Sequence, residues 1–105
     1  MARSNLRKHF MKLVEQGVKR VVFYGVSDVA EIAYISLQET SIKMIAIVDD
    51  KKTGMIFLGH VVKSPDLLKS LSFDKILITF MDNELASVDK LLKRGIARKN
   101  IIIPI

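Results

Sequence analysis

The spacing of apolar residues changes period several times along the chain, and each change marks an element. From residue 4 to 17, Leu6, Phe10, Leu13, Val14 and Gly17 recur at three- and four-residue steps, with Arg7, Lys8 and Lys12 between them. That is the repeat of a helix with one buried face. Ser4 or Asn5 can cap it and Gly17 can end it. Residues 20–25, Arg-Val-Val-Phe-Tyr-Gly, are apolar without polar alternation, as in a strand covered on both sides. Helical spacing returns over residues 28–40, where Asp28 is placed to cap the helix or complement its dipole. Val29, Ala30, Ile32, Ala33, Tyr34, Ile35 and Leu37 leave little polar surface there. A helix apolar on most sides is buried on more than one, either in an interface or between the sheet and neighbouring helices.

Residues 43–48 form a second buried strand ending at Asp49-Asp50, and 51–54 form a turn. Residues 55–63 read as a short strand pair, or one broken strand, around Gly59-His60. Ser64-Pro65-Asp66 starts a short helix over residues 65–71. Residues 75–80 are a buried strand. Residues 83–94 form a helix with Leu85, Val88, Leu91 and Leu92 inward, ended by Gly95, and Ile101–Ile103 form a last strand cut at Pro104. Met11, Met44, Met55 and Met81 read as core filler.

Strands alternating with helices predict right-handed crossovers and an α/β fold. The expectation is a Rossmann-like three-layer αβα sandwich. Its parallel sheet would have about five strands in the order 3-2-1-4-5, with a ligand crevice at the carboxyl ends of the first and fourth. Residues 1–18 read as a basic amphipathic helix, a candidate linker from a missing domain, and residues 19–105 as the nucleotide-binding domain. The end just after a strand suggests a piece of something longer.

Composition narrows the chemistry. Half of the 105 residues are apolar and cysteine is absent, which excludes disulfides, thiolate metal sites and cysteine nucleophiles. No apolar run approaches the roughly 20 residues of a membrane helix, and the start lacks a signal peptide's apolar segment. A cytoplasmic, soluble protein is expected. The net charge of +6 is concentrated at the two ends, in Arg3, Arg7, Lys8, Lys12, Lys19 and Arg20 and in Lys90, Lys93, Arg94, Arg98 and Lys99. Those clusters suit phosphate, or simply solvated helix faces and helix C-termini. The two histidines and scattered carboxylates lack metal-ligand spacing. Ser27 has no base assignable from sequence.

The first strand ends in Gly25-Val26-Ser27-Asp28-Val29-Ala30. A dinucleotide turn needs a residue permitting the bend, a small residue admitting a pyrophosphate, and a small residue letting helix pack on strand. Gly25, Ser27 and Ala30 answer these needs. Amides at the helix mouth would then face an anion, and Asp28 opposes it there. Asp49, at the carboxyl end of the next strand, stands near where such domains grip a ribose hydroxyl, favouring NAD over NADP; equally, Asp49-Asp50 could merely open a turn. Thr79, Phe80, Met81 and Asp82 lie at the opposite wall of the crevice; Thr79 or Asp82 could contact ligand, and Asp82-Asn83 also reads as a helix cap. His60 could reach the crevice from its turn or be structural. The candidate cofactor-binding residues are therefore Gly25, Val26, Ser27, Asp28, Ala30, Asp49, Asp50 and Thr79.

The ordered elements Val-Val-Phe-Tyr-Gly-Val-Ser-Asp-Val-Ala, Ala-Ile-Val-Asp-Asp-Lys-Lys, Leu-Gly-His-Val-Val and Lys-Ile-Leu-Ile-Thr-Phe resemble the Rossmann-like N-terminal domains of bacterial polysaccharide-biosynthesis proteins. These include nucleotide-sugar dehydratases and epimerases, and sugar acetyltransferases. The resemblance covers residues 19–105. It implies a phosphate turn at Gly25, Ser27 and Asp28, nucleoside recognition at Asp49 and Asp50, and a third-strand turn at Gly59. Ser27 replaces the commoner second glycine, Ala46-Ile47-Val48 replaces Gly-Phe-Ile, and His60-Val61 replaces x-Pro. Similar domains accompany winged-helix modules in regulators of exopolysaccharide genes.

These readings predict a sensory or regulatory nucleotide-binding module, with NAD or a UDP-sugar as ligand, attached to a DNA-binding or catalytic domain and able to form a homodimer through helix 28–40. The chain alone is expected not to be a complete enzyme. The alternatives are the substrate-binding fragment of a dehydratase, epimerase or acetyltransferase, and a nucleic-acid-associated regulator using the basic ends.

Overall fold

The computed structural model describes residues 3–104, with side chains from Leu6 onward. Helix α1 (Arg3–Glu15) leads into strand β1 (Arg20–Tyr24), helix α2 (Asp28–Leu37) and strand β2 (Lys43–Val48). Two short strands follow, β3 (Ile56–Phe57) and β4 (His60–Val61), then a 3-10 helix (Pro65–Ser70), strand β5 (Lys75–Ile78), helix α3 (Glu84–Lys93) and strand β6 (Ile101–Ile102). Gly17, at φ 85°, ends the first helical segment, where a left-handed residue costs glycine nothing. The expected capping by Ser4 or Asn5 falls on side chains outside the described residues.

The protein is mixed α/β with a parallel four-stranded sheet in the order β2-β1-β5-β6. Only four of the expected five strands are in that sheet. At the expected outer position beside β2, residues 55–63 pair with themselves as the antiparallel β3–β4 hairpin. Lys63 alone makes a parallel bridge to Val48: its amide donates to the Ile47 carbonyl and its carbonyl accepts from the Asp49 amide.

Period-two alternation sorts the strands' side chains into two cores. Val21, Phe23, Ile47 and Leu77 join Leu6, Phe10, Leu13, Ala30, Ala33 and Leu37 of α1 and α2. Val22, Tyr24, Val48, Ile76 and Ile78 join Leu68 of the 3-10 helix and Val88 and Leu91 of α3. Leu6 and Phe10 are fully buried, so α1 is built into the core rather than tethered beside it. Burying each such side chain contributes roughly 1.5–3 kcal/mol. The β1–β2 register shifts between Val21 and Val22: Val21 faces Met44 and Val22 faces Ala46, leaving Ile45 as an extra residue. Such a bulge bends a strand and alters which side chain faces which side.

Several expected packings differ. In α3, Val88 and Leu91 are buried, but Leu85 is 80 % exposed and Leu92 is exposed as well; Ser87 takes the inward position instead. With α3 starting only at Glu84, Ser87, Val88 and Leu91 form one stripe at three- and four-residue spacing. Met44 is buried, whereas Met11, Met55 and Met81 are exposed and fill no core. In α2, Ala30, Ala33, Ser36 and Leu37 are buried and Ile35 is exposed, so the helix buries one face in the domain.

Candidate functional site

Strands β1, β2 and β5 run parallel and end together at Tyr24, Val48 and Ile78. In parallel sheets the crevice at these carboxyl ends, where connections diverge to opposite faces, is the usual ligand position. The turns that follow, residues 25–27, 49–52 and 79–83, build that crevice.

The first turn is shaped by Gly25. Its φ of 121° and the closeness of Phe80 leave no room for a side chain: an added Cβ would stand 2.7 Å from the Phe80 ring and amide nitrogen. Ser27, not Asp28, caps α2. Ser27 is extended, and its hydroxyl oxygen accepts from the amides of Val29 and Ala30 while its proton goes to the Thr79 carbonyl. Asp28 is thereby placed inside the first helical turn and is exposed. Its charge complements the dipole without supplying the cap.

Asp49 points into this turn. It is 2 % exposed. One carboxylate oxygen accepts from the Val26 amide at 2.9 Å and the other from the Lys51 amide at 2.9 Å. The Thr53 hydroxyl donates to the Asp49 carbonyl at 2.9 Å. A buried carboxylate is tolerable only when so partnered. Thr79 is fully buried; its hydroxyl donates to the Gly25 carbonyl at 2.6 Å and its amide to the Tyr24 carbonyl at 2.8 Å. The structure therefore gathers Gly25, Val26, Ser27, Asp49 and Thr79 into one hydrogen-bonded knot. Ala30 lies below in the α1–α2 core. The Lys52 ammonium reaches the Val26 carbonyl at 3.4 Å, bringing a cation to the turn opposite Asp28.

Asp50 faces the other way. Its carboxylate accepts from the Tyr24 hydroxyl at 2.6 Å and lies 3.5 Å from the Lys90 ammonium. Burial, reinforced by the hydrogen bond to Asp50, raises the Tyr24 phenol well above its ordinary pKa. Phe80 packs edge-on against the Tyr24 ring, centroids 5.0 Å apart.

Two connected depressions open here. A cleft of about 220 Å³ is lined by Asp49, Asp50, Lys51, Phe80, Asp82, Asn83, Ala86, Ser87 and Lys90. Asn83 stands at the N-cap of α3 in a left-handed conformation, φ 56°, and makes no side-chain cap bond; the Asp82-Asn83 pair thus supplies the helix start but not the expected cap. Ser87 is 6 % exposed. Beside the cleft, an open groove is lined by Tyr24, Asp50, Lys90, Lys93 and Arg94. Of the sequence candidates, Asp49 and Asp50 line the cleft, and Gly25, Val26, Ser27, Asp28, Ala30 and Thr79 line neither depression.

Sequence reasoning placed Phe80 and Asp82 at the crevice wall, where they line the cleft, and missed Tyr24, Ser87 and Lys90. A signal for Lys90 existed: Lys90, Lys93 and Arg94 fall on one helical face. His60 stacks edge-on against Tyr34 at 5.8 Å, away from the crevice residues. His9 lies beside Phe10, where burial and then Lys12 lower its pKa. Among the described residues no group of three or more His, Asp or Glu is placed to hold a metal ion, and no helix is long and apolar enough to cross a membrane.

Fold and crevice together define a small parallel α/β domain with a cleft at its strands' carboxyl edge. Residues 17–102 match the family model described as C2185-like, N-terminal, and the chain belongs to that family. No curated protein matches the chain.

Proposed function

We propose that this domain is a binding module for a nucleotide or nucleotide-sugar, NAD and UDP-sugars being the leading candidates, seated at the carboxyl edge of the sheet. The observation that carries the reading is the cleft between the β2 end and the start of α3, with Asp49 and Asp50 on one wall and Asn83 and Ser87 on the other. Carboxylates, an amide side chain and a hydroxyl suit the hydroxyl groups of a sugar. Its 220 Å³ is below the roughly 300–1,000 Å³ of pockets that enclose a whole drug-sized ligand. One sugar or nucleoside unit fits inside, and the remainder of a dinucleotide or nucleotide-sugar lies over the surface.

The finer architecture belongs to the same proposal. The Lys63 bridge outside β2 stands where the third strand of a 3-2-1-4-5 sheet would run, and the two cores on opposite sheet faces suit a three-layer αβα sandwich. On the resemblance to polysaccharide-biosynthesis domains, the module is sensory or substrate-holding and is coupled to a catalytic or DNA-binding domain.

Titration calorimetry with NAD, UDP-sugars, acyl-CoA and AMP tests the reading. Saturable heat with NAD or a UDP-sugar is expected. Folded protein silent across that panel overturns it.

A further inference from the structure

The crevice is electrostatically divided. The cleft is lined by three carboxylates, Asp49, Asp50 and Asp82, against two cations, Lys51 and Lys90. The adjoining groove is lined by three cations, Lys90, Lys93 and Arg94, against Asp50 alone. The two share Asp50 and Lys90, so one extended molecule can occupy both. Ser87, 6 % exposed, also lines the cleft. Its hydroxyl can both donate to and accept from a sugar hydroxyl.

The turn expected to hold phosphate has three of its amides already engaged. The Val26 amide donates to Asp49 and the amides of Val29 and Ala30 donate to Ser27. Lys52 offers one cation there, and the exposed Asp28 offsets it. By contrast, the groove cations are held by weak partners. Lys93 pairs with Asp89 at 3.1 Å on an exposed helix face, Lys90 with Asp50 at 3.5 Å, and Arg94 with Asp66 at 2.9 Å where Asp66 is 78 % exposed. Exposed pairs of this kind contribute little, so a phosphate can take over the cations. Arg94 brings a planar fork suited to phosphate oxygens.

From this division we propose that the ligand lies in the crevice with its phosphate in the groove on Lys90, Lys93 and Arg94 and its sugar in the cleft beside Asp50 and Ser87. The ligand class is a sugar phosphate or the phosphorylated end of a nucleotide. This deepens the nucleotide-binding reading and rests on it. It reverses the polarity of a dinucleotide turn, with the anion on α3 rather than at the mouth of α2. The Gly25–Asp49–Thr79 knot then fixes the shape of the crevice floor without touching the anion.

Amide chemical shifts of the full chain, titrated with inorganic phosphate, ribose and ribose 5-phosphate, test the assignment. Phosphate should move residues 90–95, ribose should move residues 82–87, and ribose 5-phosphate should move both sets and bind about tenfold tighter than phosphate, as two linked contacts do. In the Lys93→Gln/Arg94→Gln protein, ribose 5-phosphate should weaken by about tenfold or more, the loss of at least one charge-assisted bond. Lys90→Gln serves as a second variant should the first not fold. Shifts centred on residues 25–30 would overturn the orientation while leaving a nucleotide-binding module standing. Folded protein unmoved by ribose 5-phosphate, yet giving heat with NAD or a UDP-sugar, overturns the groove assignment alone. Silence toward every phosphorylated probe overturns both.

Discussion

A methyl group at Gly25 would stand 2.7 Å from the backbone nitrogen of Phe80. The two residues come from turns after the adjacent strands β1 and β5 and approach each other closely at the sheet's carboxyl edge. Because Gly25 also has φ 121°, Gly25→Ala meets both a backbone penalty and a backbone clash. We expect a loss of about 3 kcal/mol, read as a lower denaturant midpoint with an unchanged slope. A midpoint within experimental error of the parent would show that the turn relaxes freely.

Asp49 joins the β2 end to the β1–α2 turn through two backbone amides. Asp49→Ala removes both acceptors and leaves buried donors, so it should cost about 3 kcal/mol. Asp49→Asn keeps one carbonyl acceptor and should cost less than the alanine change. Urea denaturation of both variants gives the order. An Asp49→Ala protein of parental stability would argue that the carboxylate serves a ligand instead of the fold.

The Tyr24 phenol is held neutral in the folded chain, first by burial and then by its hydrogen bond to Asp50. Its folded pKa is raised above the ordinary value of 10.0, so its contribution to stability is complete below that pH. Above it, the unfolded chain releases the proton while the folded chain keeps it, and stability falls. Tyr24→Phe should lose about 1 kcal/mol at neutral pH and flatten this alkaline decline. Stability curves from pH 8 upward, measured by chemical denaturation, provide the check; an unaltered alkaline slope in the variant removes the assignment.

Asp74 sits just before β5 and accepts from the amides of Lys19 and Arg20 at 2.8 and 2.9 Å. These backbone bonds lower its pKa below the ordinary 3.8. A lowered carboxylate contributes stability above its unfolded pKa and loses it as pH falls through the folded one. Asp74→Asn should therefore narrow the gap in stability between neutral pH and pH 3, with a cost at neutral pH of order 1 kcal/mol after allowance for solvent screening. Parallel acid titrations of parent and variant by circular dichroism would reveal it, and superimposable acid limbs would contradict it.

The strands were legible because β1, β2 and β5 are unbroken apolar runs buried on both sides, and a two-sided environment leaves no alternation to misread. The Ser64-Pro65 start was legible because both residues act locally, and Ser64 indeed accepts from the Asp66 amide. The sequence left Asp28 open between capping α2 and complementing its dipole, and the structure gives it the second role, since Ser27 is an equally good cap. The choice was made by Thr79, on another strand, which takes the Ser27 proton. Asp49 was found by position, but its commitment to the Val26 amide depends on how two strands meet. The exposed methionines show the converse: Met55 and Met81 occupy turns, where hydrophobicity alone does not secure burial.

The extra residue in β2 is contained within its own strand. Ile45 and Ala46 both pack toward the α3 side, so the in-and-out rhythm skips a beat there and resumes with Ile47 toward α1 and Val48 toward α3. Because Ile45 is the residue left without a partner, Ala46 to Val48 stay in step with Val22 to Tyr24, and the strand delivers one acid to Val26 and the next to Tyr24. Excising Ile45 would straighten the strand and restore its alternation, Met44 toward α1 and Ala46 toward α3, while both acids kept their posts; the detour is absorbed upstream and the crevice is insulated from it.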